Sequence, residues 1–260
     1  RQPFVRCNGI KSMISEQFLI EVGLDRQRLK SFDEYPFNLD AVKHLRHLEL
    51  HPSVTFFVGE NGAGKSTLLE AIAVAWGFNA EGGSISFQFG TRPSHSGLYD
   101  YIRLSKGVKR PRTGYFLRAE SFFNVATEIE TLDEDFDNIP RIAPAYGKRA
   151  LHEQSHGESF LALLMERFRG NGLYILDEPE AALSPNRQMA VLSRIHQLVG
   201  EGSQFIIATH SPIIMAYPDA CIYQLKGDGI GHVEYTETEH YAVMKSFLNG
   251  HERMLDILLE

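Results

Sequence analysis

The sequence predicts an α/β fold built on a mostly parallel central sheet, and three observations carry that prediction. A continuous β-branched and aromatic run, SVTFFVG (53–59), leads through a glycine-rich turn into GKSTLLEAIAVAWGF (64–78). In that second segment Leu68, Leu69, Ile72 and Trp76 recur at helical spacing. Further along, helix 157–169, strand 173–177, helix 186–199 and strand 204–209 alternate, as βαβ units do. Near the start, QFLIEVGL (17–24) and HLRHLELH (44–51) alternate apolar with polar residues. Such alternation predicts half-buried strands of a smaller antiparallel β subdomain.

The remaining elements follow from punctuation and periodicity. Gly82, Gly83, Gly90, Pro93, Gly97, Gly107, Pro111 and Gly114 break the middle of the chain into short pieces joined by loops. GYFLRAE (114–120) then reads as a strand, and SFFNVATEIETL as a helix that Ser121 can cap. The acidic DEDFDN (133–138) reads as a solvated loop. ACIYQL and GHVEY are strand candidates, and about 240–259 is helical.

Composition narrows the class. The 260 residues are enough to bury a large core as one domain. A formal net charge of −7 gives no global attraction to nucleic acid or anionic lipid, although it leaves room for a local basic patch. The one obvious patch, RLSKGVKRPR (103–112), reads by default as a solvated loop. Only Cys7 and Cys221 occur, so no disulfide framework is expected, and a cytoplasmic location is the natural reading. No apolar run approaches the ~20 residues that span a bilayer, so direct membrane insertion is not expected. The opening RQPFVRCNGIK has neither a signal-peptide core nor an initiator Met. This leads us to expect a natural chain that starts further upstream.

The chemistry begins at GENGAGKST (59–67), which matches G-x-x-x-x-G-K-S/T with a buried strand before it and a helix after it. Gly59, Gly62 and Gly64 let the backbone turn tightly, so the N–H groups of Glu60, Asn61, Ala63 and their neighbours through Thr67 can line a phosphate nest. The helix N-terminus adds its dipole. Lys65 is expected to reach terminal phosphates and Ser66 to ligate Mg²⁺.

A second cluster sits in GLYILDEPE (172–180). Asp177 ends an apolar strand, at the carboxyl edge where open α/β sheets bind ligands. There it suits the metal-orienting carboxylate of a phosphate-loop site, and Glu178 suits the proton acceptor for an attacking water. A shared metal would offset the repulsion between the adjacent charges.

With these motifs in place the chain resembles the ABC-type ATPases, a P-loop NTPase fold, and within them the soluble chromosome-maintenance and DNA-repair branch. VTFFVGENGAGKSTLLEAIA, SHGES (155–159), EPEAALSP (178–185) and IIATHSP (206–212) stand in the family's order, covering about 53–212. The resemblance implies one ATPase domain over 1–260, with a nucleotide-binding core of about 1–90 and 171–260 and a helical signature lobe of about 91–170. It implies ATP and Mg²⁺ as cofactors and hydrolysis to ADP and phosphate. A second copy of the chain is implied as an ATP-dependent, head-to-tail partner.

By the same resemblance, His210 occupies the switch-histidine position that supports the γ-phosphate. Ser155, His156, Gly157 and Glu158 form the signature that completes a partner's site in trans. His156 departs from the family glycine, and Ser155 with Glu158 also fits an ordinary capping box. Glu120 stands where many members place a metal-reaching Gln, with Gln88 as the competing candidate. Ser184, followed by Pro185, replaces the expected D-loop Asp. Tyr35 or Phe37 is the candidate adenine-stacking aromatic. The interval between Lys65 and Asp177 is too short for coiled-coil arms, so the chain resembles an armless head.

Three function classes follow. The favoured one is a soluble ATPase acting on nucleic acid or another macromolecule. The nucleotide-binding subunit of a membrane transporter is the alternative. A small-molecule phosphotransferase is disfavoured because it leaves the order of Ser155 and His210 unexplained.

Overall fold

In the computed structural model residues 17–84, 96–118, 156–181 and 183–260 are described, with 156–159 described by backbone alone. The strands are β1 (Leu19–Leu24), β2 (His47–Glu49), β3 (Val54–Gly59), β4 (Gly83–Ser84), β5 (Ile102–Lys106), β6 (Thr113–Arg118), β7 (Gly172–Asp177), β8 (Gln204–Ala208), β9 (Cys221–Lys226) and β10 (Gly229–His232). The helices are α1 (Asp40–His44), α2 (Lys65–Trp76), α3 (His156–Glu166), α4 (Pro185–Gly200), α5 (Glu239–Asn249) and α6 (His251–Leu259).

The main sheet has seven strands in the order β10-β9-β3-β8-β7-β6-β4. Its five inner strands, β9 to β6, are parallel, while β10 and β4 attach antiparallel at the two edges. A second, antiparallel sheet has the order β2-β1-β5. The α/β class with a mostly parallel sheet and an antiparallel β subdomain is therefore observed.

Period-two alternation explains why the inner strands read as unbroken apolar runs. Phe57, Ile175, Ile206 and Ala208 face one core, where α2 contributes Leu68, Leu69 and Ile72 and β1 contributes Leu19 and Val22. Phe56, Val58, Tyr174, Leu176, Phe205 and Ile207 face the other. There α3 supplies Phe160, Leu163 and Leu164, and α4 supplies Val191, Ile195 and Leu198. Both faces are covered, as a parallel sheet requires.

One buried side chain ties the two sheets together. Gln204 Oε1 accepts from the backbone N–H groups of Phe18 (3.1 Å) and Leu19 (2.9 Å). Its Nε2 donates to the carbonyls of Leu19 (2.7 Å) and His51 (3.0 Å).

Several expectations change. The basic run is not simply a solvated loop: Ile102–Lys106 is strand β5, paired with β1. Its cations are also engaged within the fold, since Arg103 pairs with Asp25 at 2.7 Å and Lys106 lies 4.3 Å above the Trp76 ring. The expected 44–51 strand contracts to β2, because α1 ends at His44. The C-terminal helix divides at Gly250, and both halves lie on the surface with no buried residue. Cys221, at the start of β9, is buried, and Cys7 lies outside the described residues. No helix among the described residues is long and apolar enough to cross a membrane.

Candidate active site at the carboxyl edge of the sheet

Strand register brings the chemistry to one edge. Asp177 at the end of β7 is level with Ala208 of β8 and with Arg118 of β6, and Phe57 of β3 is level with Ala208 from the other side. The loops leaving β3, β7 and β8 therefore emerge together, at the edge where open α/β sheets hold ligands.

The loop after β3 needs its glycines for two different reasons. Gly59 has φ 151°, and a Cβ there would lie 2.6 Å from the Leu225 carbonyl oxygen of the neighbouring strand. Gly64 has φ 91°, and its Cβ would crowd Ala41 and Leu39 of the α1 region. Neither position accepts a side chain without strain. Lys65 starts α2 and folds back, donating from Nζ to the carbonyls of Gly59 (2.8 Å) and Glu60 (2.9 Å). An ammonium has three protons, so one remains for a phosphate oxygen. Burial lowers the Lys65 pKa, opposed by the carboxylates of Glu178, Asp177 and Glu180.

Ser66 Oγ donates to Asp177 Oδ1 at 3.0 Å, across 111 residues of sequence. These two hard oxygens suit Mg²⁺, which takes few protein ligands and completes its octahedron with water and phosphate oxygens. Arg118 approaches the other Asp177 oxygen at 3.8 Å and holds Glu70 at 2.6 Å, so a cation stands behind the carboxylate.

Glu178 leaves the strand in a left-handed conformation, φ 51°, with its backbone N–H bonded to Ala208 O at 2.9 Å. Such a backbone is costly for a residue with a side chain, and here it swings the carboxylate out of the sheet toward solvent. His210 Nε2 lies 3.5 Å from Glu178 Oε1. Burial and the nearby Lys65 charge lower the His210 pKa, while Glu178 raises it.

Sequence reasoning missed three contributors. Glu180 accepts from the Thr209 hydroxyl (2.8 Å) and the His210 N–H (2.5 Å), locking the loop after β7 to the loop after β8. Burial raises its pKa. The Glu-Pro-Glu spacing was visible, but nothing in it separates an exposed second Glu from a buried one. Arg118 sits in the recognised GYFLRAE strand, and its approach to Asp177 depends on strand pairing. His240, isolated in sequence at the start of α5, meets His210 with Nδ1···Nε2 at 2.9 Å.

The other candidates fall into place or out of view. Tyr35 is exposed, with its hydroxyl 3.5 Å from Thr67 Oγ1, whereas the Phe37 ring packs edge-on against Tyr101 at 4.9 Å. Phe37 is half-buried. Ser184 and Pro185 serve helix initiation, as the N-cap position and first residue of α4. His156, Gly157 and Glu158 form the first turn of α3. Ser155, Glu120 and Gln88 lie outside the described residues.

Comparison with known proteins gives partial matches. Residues 109–216 match a family model described as "AAA domain, putative AbiEii toxin, Type IV TA system", and residues 28–139 match one described as "AAA domain". An ABC transporter ATP-binding/permease protein of Mycobacterium tuberculosis is 24% identical over 187 residues, covering 65% of this chain and 20% of that protein. The chain thus spans about a fifth of the length of this curated relative. Similar solved structures include "an inward-facing conformation of a putative metal-chelate type ABC transporter", at 19% identity and TM-score 0.45 over 76% of this chain and 80% of that one. A second is a putative cobalt transport ATP-binding protein, at 18% identity and TM-score 0.44 over 85% and 80%.

Proposed function

We propose that the chain binds ATP and hydrolyses it as an ABC-type ATPase, working as a head-to-tail pair. The observation that carries this reading is the Ser66–Asp177 hydrogen bond, which joins the phosphate loop to the strand-end carboxylate. Lys65, Ser66 and the loop N–H groups from Gly59 to Thr67 hold the phosphates. Ser66 and Asp177 are the residues that would hold Mg²⁺, whose charge would offset that of the phosphate oxygens.

Glu178 takes the proton of the attacking water. Its swung-out carboxylate has the reach for this, and His210 beside it can donate to the γ-phosphate. Tyr35 supplies the stacking face for adenine. In this reading 1–260 acts as one domain, and Ser155, His156, Gly157 and Glu158 of a second copy close over the phosphates. Glu120 or Gln88 would reach the metal shell.

The favoured role is a soluble, cytoplasmic ATPase acting on nucleic acid or another macromolecule, on the resemblance of EPEAALSP and ATHSP to that branch. The name of the mycobacterial relative favours a second role, as a transporter's nucleotide-binding part. Glu178→Gln separates these readings. The variant should keep ATP affinity and lose at least about a hundredfold in turnover. It should also accumulate as a dimer in ATP, seen by size-exclusion chromatography. Normal hydrolysis by Glu178→Gln would remove the proton-acceptor assignment. Nucleic acid recovered with the trapped protein supports the soluble role, and a co-purifying permease the transporter role.

A further inference from the structure

His240 has no part in the catalytic constellation above, yet its side chain hydrogen-bonds the His210 ring. The two rings stand 5.1 Å apart at 61°, joined through His210 Nδ1 and His240 Nε2 at 2.9 Å. One of these nitrogens must donate, and the outer nitrogens decide which. His210 Nε2 is buried and makes no hydrogen bond among the described residues, with the nearest Glu178 carboxylate oxygen at 3.5 Å. His240 Nδ1 is buried with no hydrogen-bond partner among the described residues.

Suppose His210 donated from Nδ1. Its Nε2 lone pair would then face a carboxylate, and His240 would carry an orphaned N–H on buried Nδ1. Both features are unfavourable, since an unpaired buried donor costs about 1–3 kcal/mol. In the opposite arrangement His240 donates from Nε2, His210 accepts at Nδ1, and the single proton of His210 sits on Nε2 facing Glu178. The His210 Nε2–H then makes no hydrogen bond, but it turns its positive end toward a carboxylate oxygen 3.5 Å away, and His240 keeps only a bare lone pair. Each arrangement leaves one buried N–H unbonded, so the Glu178 carboxylate decides: it attracts an N–H at His210 Nε2 and repels a lone pair there.

We propose that His240 is a positioning residue for His210: its Nε2–H fixes the imidazole ring and the tautomer that presents an Nε2–H donor beside Glu178 and the phosphate loop. The proposal rests on the ATPase reading above. It also gives α5, a surface helix, a direct mechanical connection to the site, because the groove between them is lined by Glu60, His210, Pro212, Glu239, His240 and Val243. Glu239 and Lys65 act electrostatically on His240, and Lys65 and Glu178 on His210. Burial lowers both imidazole pKa values, opposed by Glu178 at His210 and by Glu239 at His240.

Two measurements test it. In protein labelled with ¹⁵N-histidine, long-range proton–nitrogen spectra should show both rings protonated at Nε2, and a His210 proton on Nδ1 would overturn the proposal. In steady-state assays His240→Ala should lose about tenfold or more in kcat. Its affinity for a fluorescent ATP analogue should stay close to that of the wild type. His240→Gln, whose amide can donate from nearly the same place, should recover most of the loss. Equal kcat in His240→Ala and wild type, or no recovery with Gln, would overturn the proposal and leave the ATPase reading standing. A wild-type chain that neither binds nor hydrolyses ATP would overturn both.

Discussion

Lys65 has one observed task and one proposed task, both on a single ammonium group. It closes the glycine-rich loop by bonding the carbonyls of Gly59 and Glu60, and in the proposed ATPase its third proton meets a phosphate. Lys65→Ala should therefore abolish measurable ATP binding in calorimetry, and unchanged affinity would refute the loop assignment. His51, far from this chemistry, shows a different single-residue effect. Its Nδ1 accepts from the N–H groups of Ser53 (3.2 Å) and Val54 (3.4 Å), so the ring must stay neutral there. Burial lowers its pKa below the ordinary 6.5, only partly opposed by Asp219. As pH falls through about 6.5 the unfolded chain takes up this proton before the folded one does. The stabilisation is thus complete above that pH and is lost below it. His51→Asn keeps an acceptor without the titration, so its melting temperature should fall less than the wild type's between pH 7.5 and 5.5. Parallel declines would contradict this account.

At the scale of elements, β3, its loop and α2 work as a unit fixed by backbone geometry. Gly59→Ala forces a Cβ against the Leu225 carbonyl of β9, at a φ that disfavours any side chain. We expect a loss of about 2 kcal/mol or more, read as a lower denaturation midpoint, and an unchanged midpoint would show that β9 can move aside. The strand and helix types here were legible in the sequence because burial on both faces and 3.6-residue periodicity each leave a pattern. Strand β5 was not legible. Its IRLSK sequence has one buried position and mostly polar neighbours, and its strand form comes from pairing with β1. The same pairing explains why a run of cations, read as a free patch, includes Arg103 tied to Asp25 and Lys106 stacked on Trp76.

At the scale of the molecule, the two sheets depend on Gln204. It sits at the start of β8, while the glycine-rich loop and the Asp177 and Glu178 carboxylates lie beyond the other end of the parallel strands. Gln204→Leu would leave Phe18 N–H, Leu19 N–H and the Leu19 and His51 carbonyls without their partner. The expected loss is about 3 kcal/mol or more in chemical denaturation. ATP affinity should persist under conditions where the variant remains folded. A variant as stable as the wild type would mean that water replaces all four bonds. The C-terminal helices contribute differently: they bury none of their residues, but α5 delivers His240 to the site.

The sequence by itself determined the local chemistry: glycines where the backbone turns at φ 151° and 91°, a lysine and serine opening α2, and paired carboxylates ending an apolar strand. These are legible because each is set by neighbours within a few residues. Only the tertiary structure decided which distant groups meet. Parallel register puts Ser66 against Asp177 and Arg118 behind it, and the loops after β7 and β8 bring Glu180 to His210. His240 reaches the same histidine from α5. No local pattern encodes such contacts, because a solitary Arg, Glu or His has the same sequence context whether it faces water or a partner across the fold.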